Sequence, residues 1–429
     1  MGGTAARRRS FLRALTFLLG LGIGISASGA DLVLQKVPPL TVAEAPNYPQ
    51  NLARLDLGAQ IESDVPADAS SSVPFLSGDP ASVYALRTGA TRLLISLAKI
   101  ENIDSVAFLN REAMGTVKIA LSSAKLSPDS PQWRDAGQEE LSSGLISARI
   151  GPAEAKYVRL TFNVSNPGLI GNLGVYSAAA VSDFTMPRTR KIAAGTSAEA
   201  IAKANYNLAD LHAKARTIFV SSGDDLTLAH NMIDGQPGTS YTFAANDAAP
   251  AAIIDLGRSV PVNRISTFST PGSAVVRFYV LDTLPANSIG DPASALRIDP
   301  QTLAAFKIVR TGSDDGSGRV AVNFEETTGR YVMLAWTPSR QNTNFSVTEV
   351  AIFGPSGNAR LLAANTSGNN VSATSDDKRV RDFKDTKDFS KEIPGEGPAK
   401  EQAPGEGPAP ELPRPPPFVF IPRVVPTSP

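Results

Sequence analysis

Apolar and polar positions alternate over short runs through most of this chain. Val158, Leu160 and Phe162 alternate with Tyr157, Arg159 and Thr161, and Val332, Leu334 and Trp336 repeat the same parity after Tyr331. A period of two places one set on a core face and the other outward. The runs are brief and are separated by Gly, Pro, Asn, Asp and Ser. That pattern predicts an all-β chain of sandwiches or jelly rolls rather than a doubly wound sheet. No Gly-rich phosphate loop follows a strand. The clearest helical stretch is 197–205, which is Ala-rich and has Ser197 as its cap.

The alternating segments fall into two sets in the same order, so the middle of the chain reads as one unit written twice. Asn51-Leu52-Ala53-Arg54-Leu55 matches Asn207-Leu208-Ala209-Asp210-Leu211. Gly78 matches Gly235, Ile95-Ser96-Leu97 matches Ile254-Asp255-Leu256, and Val117 to Leu121 matches Val276 to Val280. Tyr157-Val158-Arg159-Leu160 then matches Tyr331-Val332-Met333-Leu334, and Gly174-Val175-Tyr176 matches Ala351-Ile352-Phe353. The spacing widens along the chain, which predicts an insertion in the second unit at about Pro285 to Ala305. The boundaries that follow are 48–178 for the first sandwich and 205–355 for the second. Residues 31–47 read as a linker, and 179–204 as a second, partly helical linker.

Both ends are written in other styles. Arg7-Arg8-Arg9-Ser10-Phe11-Leu12-Arg13, an apolar run to Ile25 and Ser28-Gly29-Ala30 form a signal-peptide pattern over 1–30. Its Arg8-Arg9-Ser10-Phe11-Leu12-Arg13 resembles the bacterial twin-arginine export motif, with Arg13 where Lys is commoner and a general secretory signal as the alternative. Export to the periplasm, cell surface or medium is the expectation. Residues 356–429 read as a disordered tail, charged at first and then rich in Pro and Gly, with Pro394-Gly395-Glu396-Gly397-Pro398-Ala399 repeated from Pro404 to Ala409. Within it, residues 418–425 (Phe-Val-Phe-Ile-Pro-Arg-Val-Val) read as a disordered end, as a segment folded back on a domain, or as a docking peptide for a partner.

Composition narrows the chemistry. The 429 residues contain no Cys and two His, and 41 basic residues balance 41 acidic ones. Thiolate metal sites, disulfides and cysteine nucleophiles are excluded, and His-ligated metal centres have little to draw on. The balanced charge gives no general attraction to nucleic acid. Removing 1–30 takes away Arg7, Arg8, Arg9 and Arg13 and no acid, leaving the mature chain mildly acidic. The paired carboxylates Asp224-Asp225 and Asp314-Asp315 sit in turn-like sequence and Glu325-Glu326 at a strand-to-turn rim, and adjacent acids cannot face each other across a cleft. No nucleophile-elbow sequence accompanies His212 or His230. The reading is therefore non-enzymatic.

The second unit resembles the discoidin, or coagulation-factor type C, domain of the galactose-binding-like fold. The resemblance is carried by Asn207-Leu208-Ala209, Ser221-Ser222, Asp234-Gly235, Tyr241, Ile254-Asp255-Leu256-Gly257, Gly329 to Leu334 and Glu349 to Gly354. Tyr241 and Met333 depart from it. The first unit resembles a degenerate copy, keeping Lys156 to Leu160 but lacking the Ser-Ser and Asp-Gly pairs. The resemblance implies two tandem jelly-roll sandwiches that bind glycans, lipid head groups or proteins through loops at one end. It also implies a structural calcium in the second unit, with Asp234, Thr239 and Glu349 as ligands. Asn172 replaces Glu349 in the first. Arg340, Asn342, Asn344 and Phe345, faced by His230 and Asn231, have the planar amides, guanidinium and aromatic ring that sugar recognition needs; the alternative is an ordinary polar turn with Phe345 entering the core. Trp133 is an additional loop aromatic. The expected function is carbohydrate binding or adhesion. The alternative is an envelope scaffold that binds other proteins through its sandwiches and tail.

Overall fold

The computed structural model describes residues 31–63, 73–177, 207–272, 274–285, 295–340 and 343–355. The signal pattern, the 197–205 helix, the tail and its 418–425 peptide lie outside them.

Two antiparallel β-sandwiches account for almost all the described residues. In the first, β2 (Gln60–Ser63), β3 (Val83–Leu86), β4 (Gly89–Arg111), β5 (Met114–Ser122), β6 (Arg134–Leu141), β7 (Gly144–Asn166) and β8 (Gly168–Ser177) form the order β3-β8-β4-β7-β5-β6, with β2 on β4. β4 and β7 are 23 residues each and run through both layers. Their register breaks between Ser96 and Glu101, where the ribbon passes from one layer to the other.

The second sandwich repeats this plan. β9 (Arg216–Val220), β10 (Tyr241–Phe243), β11 (Ala251–Ser269), β12 (Val275–Leu281), β14 (Ile308–Ser313), β15 (Arg319–Thr337) and β16 (Phe345–Phe353) stand where β2, β3, β4, β5, β6, β7 and β8 stand in the first. β11 and β15 again cross both layers, with a break between Asp255 and Val260. A single asparagine closes each unit in the same way. Asn51 Oδ1 accepts from the Ala53 and Val175 amides at 3.0 and 3.1 Å, and Asn207 Oδ1 accepts from those of Ala209 and Ile352 at 3.0 Å each.

The predicted core parity holds: Val158, Leu160, Phe162, Val332, Leu334 and Trp336 are all buried. The outward set differs between the units. Met333 is fully buried, because the outer face of its sheet is itself covered. The cover comes from the insertion, which builds β13 (Leu296–Ile298) and the helix α1 (Pro300–Ala305), capped by Asp299. It also comes from the N-terminal segment.

That segment corrects the reading of 31–47 as a linker. β1 (Leu32–Lys36) pairs with β9 on one side and β13 on the other. Leu34 is fully buried beside Phe219, Ile253 and Met333. A 3-10 turn at Val42–Asn47 follows, and Ala45 and Tyr48 enter the inner core of the second sandwich. The described residues thus enter through the second sandwich, build the first, and return. No helix among the described residues is long and apolar enough to cross a membrane.

Candidate functional site

The six residues expected to read a sugar do not converge. Phe345 belongs to the core, which corrects its expected role as a ligand platform. It is 6% exposed and packs on Trp336 and Phe243 with ring centroids 6.0 and 6.2 Å away. His230 is likewise corrected, being 1% exposed. Its Nε2 lies 3.4 Å from the Pro38 carbonyl, which can only accept, so Nε2 carries the proton. Burial, ahead of the nearby Arg216 charge, holds the imidazole down at a pKa of about 4, and it is neutral at ordinary pH. Asn231 is a structural group that donates to the Ser240 carbonyl at 3.1 Å. Arg340 and Asn344 are exposed on the loop between β15 and β16. Asn342 lies outside the described residues. Trp133 is 7% exposed under the Arg159 guanidinium, 4.6 Å from its ring centre, and offers no open face.

The three expected cation ligands do come together. Asp234 and Glu349 are each 2% exposed. Asp234 accepts from the Gln236 amide and side chain at 2.9 Å each, and the Thr239 hydroxyl lies 3.0 and 2.9 Å from its two oxygens. Burial, partly offset by these bonds, pushes the Asp234 pKa up to about 8. Burial and then the Asp234 charge push Glu349 well above the ordinary carboxylate range, with Arg54 pulling the other way. Glu349 Oε1 has no protein partner. Two buried carboxylates, with Glu349 raised further by the Asp234 charge and carrying an orphaned oxygen, fit a hard, oxygen-coordinated cation. No group of three or more acidic or histidine side chains gathers among the described residues, so such an ion would draw its further ligands from backbone carbonyls.

Two of the paired acids elsewhere hold turns, while Glu325-Glu326 lies within β15 and not in a turn. Asp225 caps the 3-10 turn at Leu226–Ile233 through the Thr227 amide, and Asp314 Oδ1 accepts from the Gly316 and Gly318 amides.

Sequence reasoning missed a groove of about 1050 Å³ beside β9, where the chain leaves β1. One wall is Lys36 and Pro38 to Leu40; the floor is Ile218 and Phe219; the far side is Asp282 to Leu284, Arg330 and Tyr331. His230 backs it from below. Arg330 donates through Nε and Nη2 to the two oxygens of Asp255 at 2.9 and 2.8 Å and lies 5.0 Å from the Tyr331 ring centre. Arg216 is fixed by the Leu211 and Ala215 carbonyls. The groove combines an aromatic ring, planar donors held by other bonds, and apolar floor. These walls come from four segments far apart in sequence, so no local motif marks them.

No protein-family model matches the chain, and no curated protein matches it. Among solved structures it is similar to the CBM32 module CpGH89CBM32-6 of Clostridium perfringens, at 18% identity over 30% of this chain and 99% of that one, with a TM-score of 0.26. It is similar to chitosan-binding module 1 of a Paenibacillus chitosanase/glucanase, at 21% identity over 35% of this chain and 99% of that one, with a TM-score of 0.26. An F-lectin (fucolectin) from striped bass serum matches at 13% identity over 71% of this chain and 98% of that one, with a TM-score of 0.24.

Proposed function

We infer that this chain is an exported, non-catalytic glycan-binding protein whose ligand lies in the groove of the second sandwich. On this reading the two sandwiches are a duplicated discoidin-like unit, and the second holds a structural calcium at Asp234, Thr239 and Glu349. The groove is the observation that carries the reading. Sugar C–H faces stack on an aromatic ring while fixed planar donors read hydroxyls and carboxylates. Tyr331 supplies the ring, and Arg330, pinned by Asp255, supplies the donor at little entropic cost. Lys36 and Arg216 outnumber Asp282 in charge, which favours oligosaccharides carrying acidic units.

A glycan array probed with the full chain, with calcium and with chelator, tests this. Retention of acidic oligosaccharides, lost in Tyr331→Ala, is the expected result. Retention of none under either condition removes the glycan reading.

A second reading, a scaffold that binds protein, has one observation in its favour. β14 is bonded to β12 on one side, and its other edge, with Ile308 45% exposed, carries no partner strand among the described residues. Such an edge can accept a strand from another chain. Charge placed there by Ile308→Lys would abolish partner recovery if this reading holds.

A further inference from the structure

The two sandwiches meet at equivalent places in their repeats. Gly78 and Gly235 are matched positions and both are left-handed, with φ of +81° and +71°. Ser77 stands where Asp234 stands. Its Oγ accepts from the amide two residues on, at 3.2 Å, as Asp234 Oδ1 does. Asn172 stands for Glu349. The first unit has therefore lost both carboxylates of the candidate cation site. In their place it brings a positive charge, because Arg54 holds the position that Asp210 holds in the second unit.

Arg54 does not point into its own sandwich. Its guanidinium lies between the two glycine loops: a Cβ built on Gly78 would meet Nη1 at 3.0 Å, and one on Gly235 would meet Nη2 at 3.0 Å. Nη2 donates to the Gly235 carbonyl at 3.4 Å, and the Tyr176 hydroxyl donates to the same oxygen at 2.8 Å. The cleft between the loops, lined by Arg54, Ser77, Asp210 and Asp234, is closed to about 10 Å³. Asp79, one residue past Gly78, fastens the junction by accepting from Arg264 at 2.6 and 3.0 Å, and Arg319 Nε donates to the Pro80 carbonyl at 2.9 Å.

Ionising two buried carboxylates calls for a positive charge beside them, and the structure brings one to their loop from the other sandwich. We propose that Arg54 is a tethered counter-ion for the Asp234–Glu349 pair and competes with a divalent cation for it. Loading the second sandwich with a cation and clasping the two sandwiches together then oppose each other, and the coupling is reciprocal. The inference rests on the cation reading above. It adds that the first sandwich sets the affinity. A guanidinium and a divalent ion near one carbonyl repel in a site that water screens poorly, so removing the guanidinium must favour the ion.

Calcium titration of the full chain by calorimetry, comparing wild type with Arg54→Met and Arg54→Lys, tests the proposal. Arg54→Met keeps the apolar stem and should bind calcium at least about tenfold more tightly. Arg54→Lys keeps a charge and should stay closer to wild type. Hydrogen exchange at 77–80 and 233–237 should rise in wild type on adding calcium. Equal affinity in wild type and both variants, or weaker binding by Arg54→Met, overturns the role of Arg54 while leaving the cation site standing. No calcium binding by any of the three overturns both. Asp234→Asn, folded by circular dichroism, should lose the calcium heat.

Discussion

At the scale of single residues, the most informative side chains are polar ones that the fold has enclosed. His230 is neutral because burial holds its pKa near 4, against an ordinary value of 6.5. The unfolded chain takes up a proton below about pH 6.5, and the folded one does not until about pH 4. The contribution is therefore intact above pH 6.5 and is lost as pH falls toward 4, by about 3 kcal/mol in all. Arg216 and Glu44 are the charged groups that act on it. His230→Gln should flatten the fall in thermal midpoint between pH 6.5 and 4.5 relative to wild type, as scanning calorimetry would show. An unchanged slope would place the acid sensitivity elsewhere. The two closing asparagines give a second expectation. Asn51→Ala and Asn207→Ala each strip two backbone amides of their acceptor, and each should cost about 2 kcal/mol in urea denaturation. A loss at one position but not the other would contradict the equivalence of the units.

At the scale of elements, the strands were legible where both signals were local. The alternation from Tyr157 to Phe162 and from Tyr331 to Trp336 marked β7 and β15, and six ordered matches marked the repeat. Phe345 was legible too: it shares its parity with Val347, which is fully buried, and the alternation of β16 puts both inward. Loop composition suggested otherwise and was the weaker signal. β1 was not legible. Leu32 to Lys36 is too short to show a period, and its partners, β9 and β13, lie far along the chain. Met333 was unreadable for the same reason, since its cover comes from β1, β13 and α1. Leu34→Ala would leave a cavity among Phe219, Ile253 and Met333 and should cost about 3 kcal/mol. Hydrogen-exchange protection of β9 should fall with it. Retention of that protection would mean that β1 decorates the sheet without supporting it.

At the scale of the molecule, two sandwiches of one plan differ at matched positions. The second has cover on its outer sheet and carries the carboxylates Asp234 and Glu349; the first has Ser77 and Asn172 there and faces that loop with Arg54. The pair is pinned by Asp79 and Arg264, whose side chains are 7% and 26% exposed. A double-mutant cycle on Asp79→Ala and Arg264→Ala should give a coupling of about 1–2 kcal/mol. Additive effects would mean that the ion pair contributes nothing to the junction. That Asp234, Thr239 and Glu349 gather in one place was legible because the resemblance carried them residue by residue. The groove was not, because tertiary structure alone brings Lys36, Phe219, Leu284 and Tyr331 to one place. The most direct measurement of where ligand binds is hydrogen exchange of the full chain with and without an acidic oligosaccharide retained on the array. Protection gained at 36–40, 216–219, 282–284 and 330–331 is the predicted result. Protection confined to 338–344, or gained nowhere in the second sandwich, would contradict a binding groove beside β9.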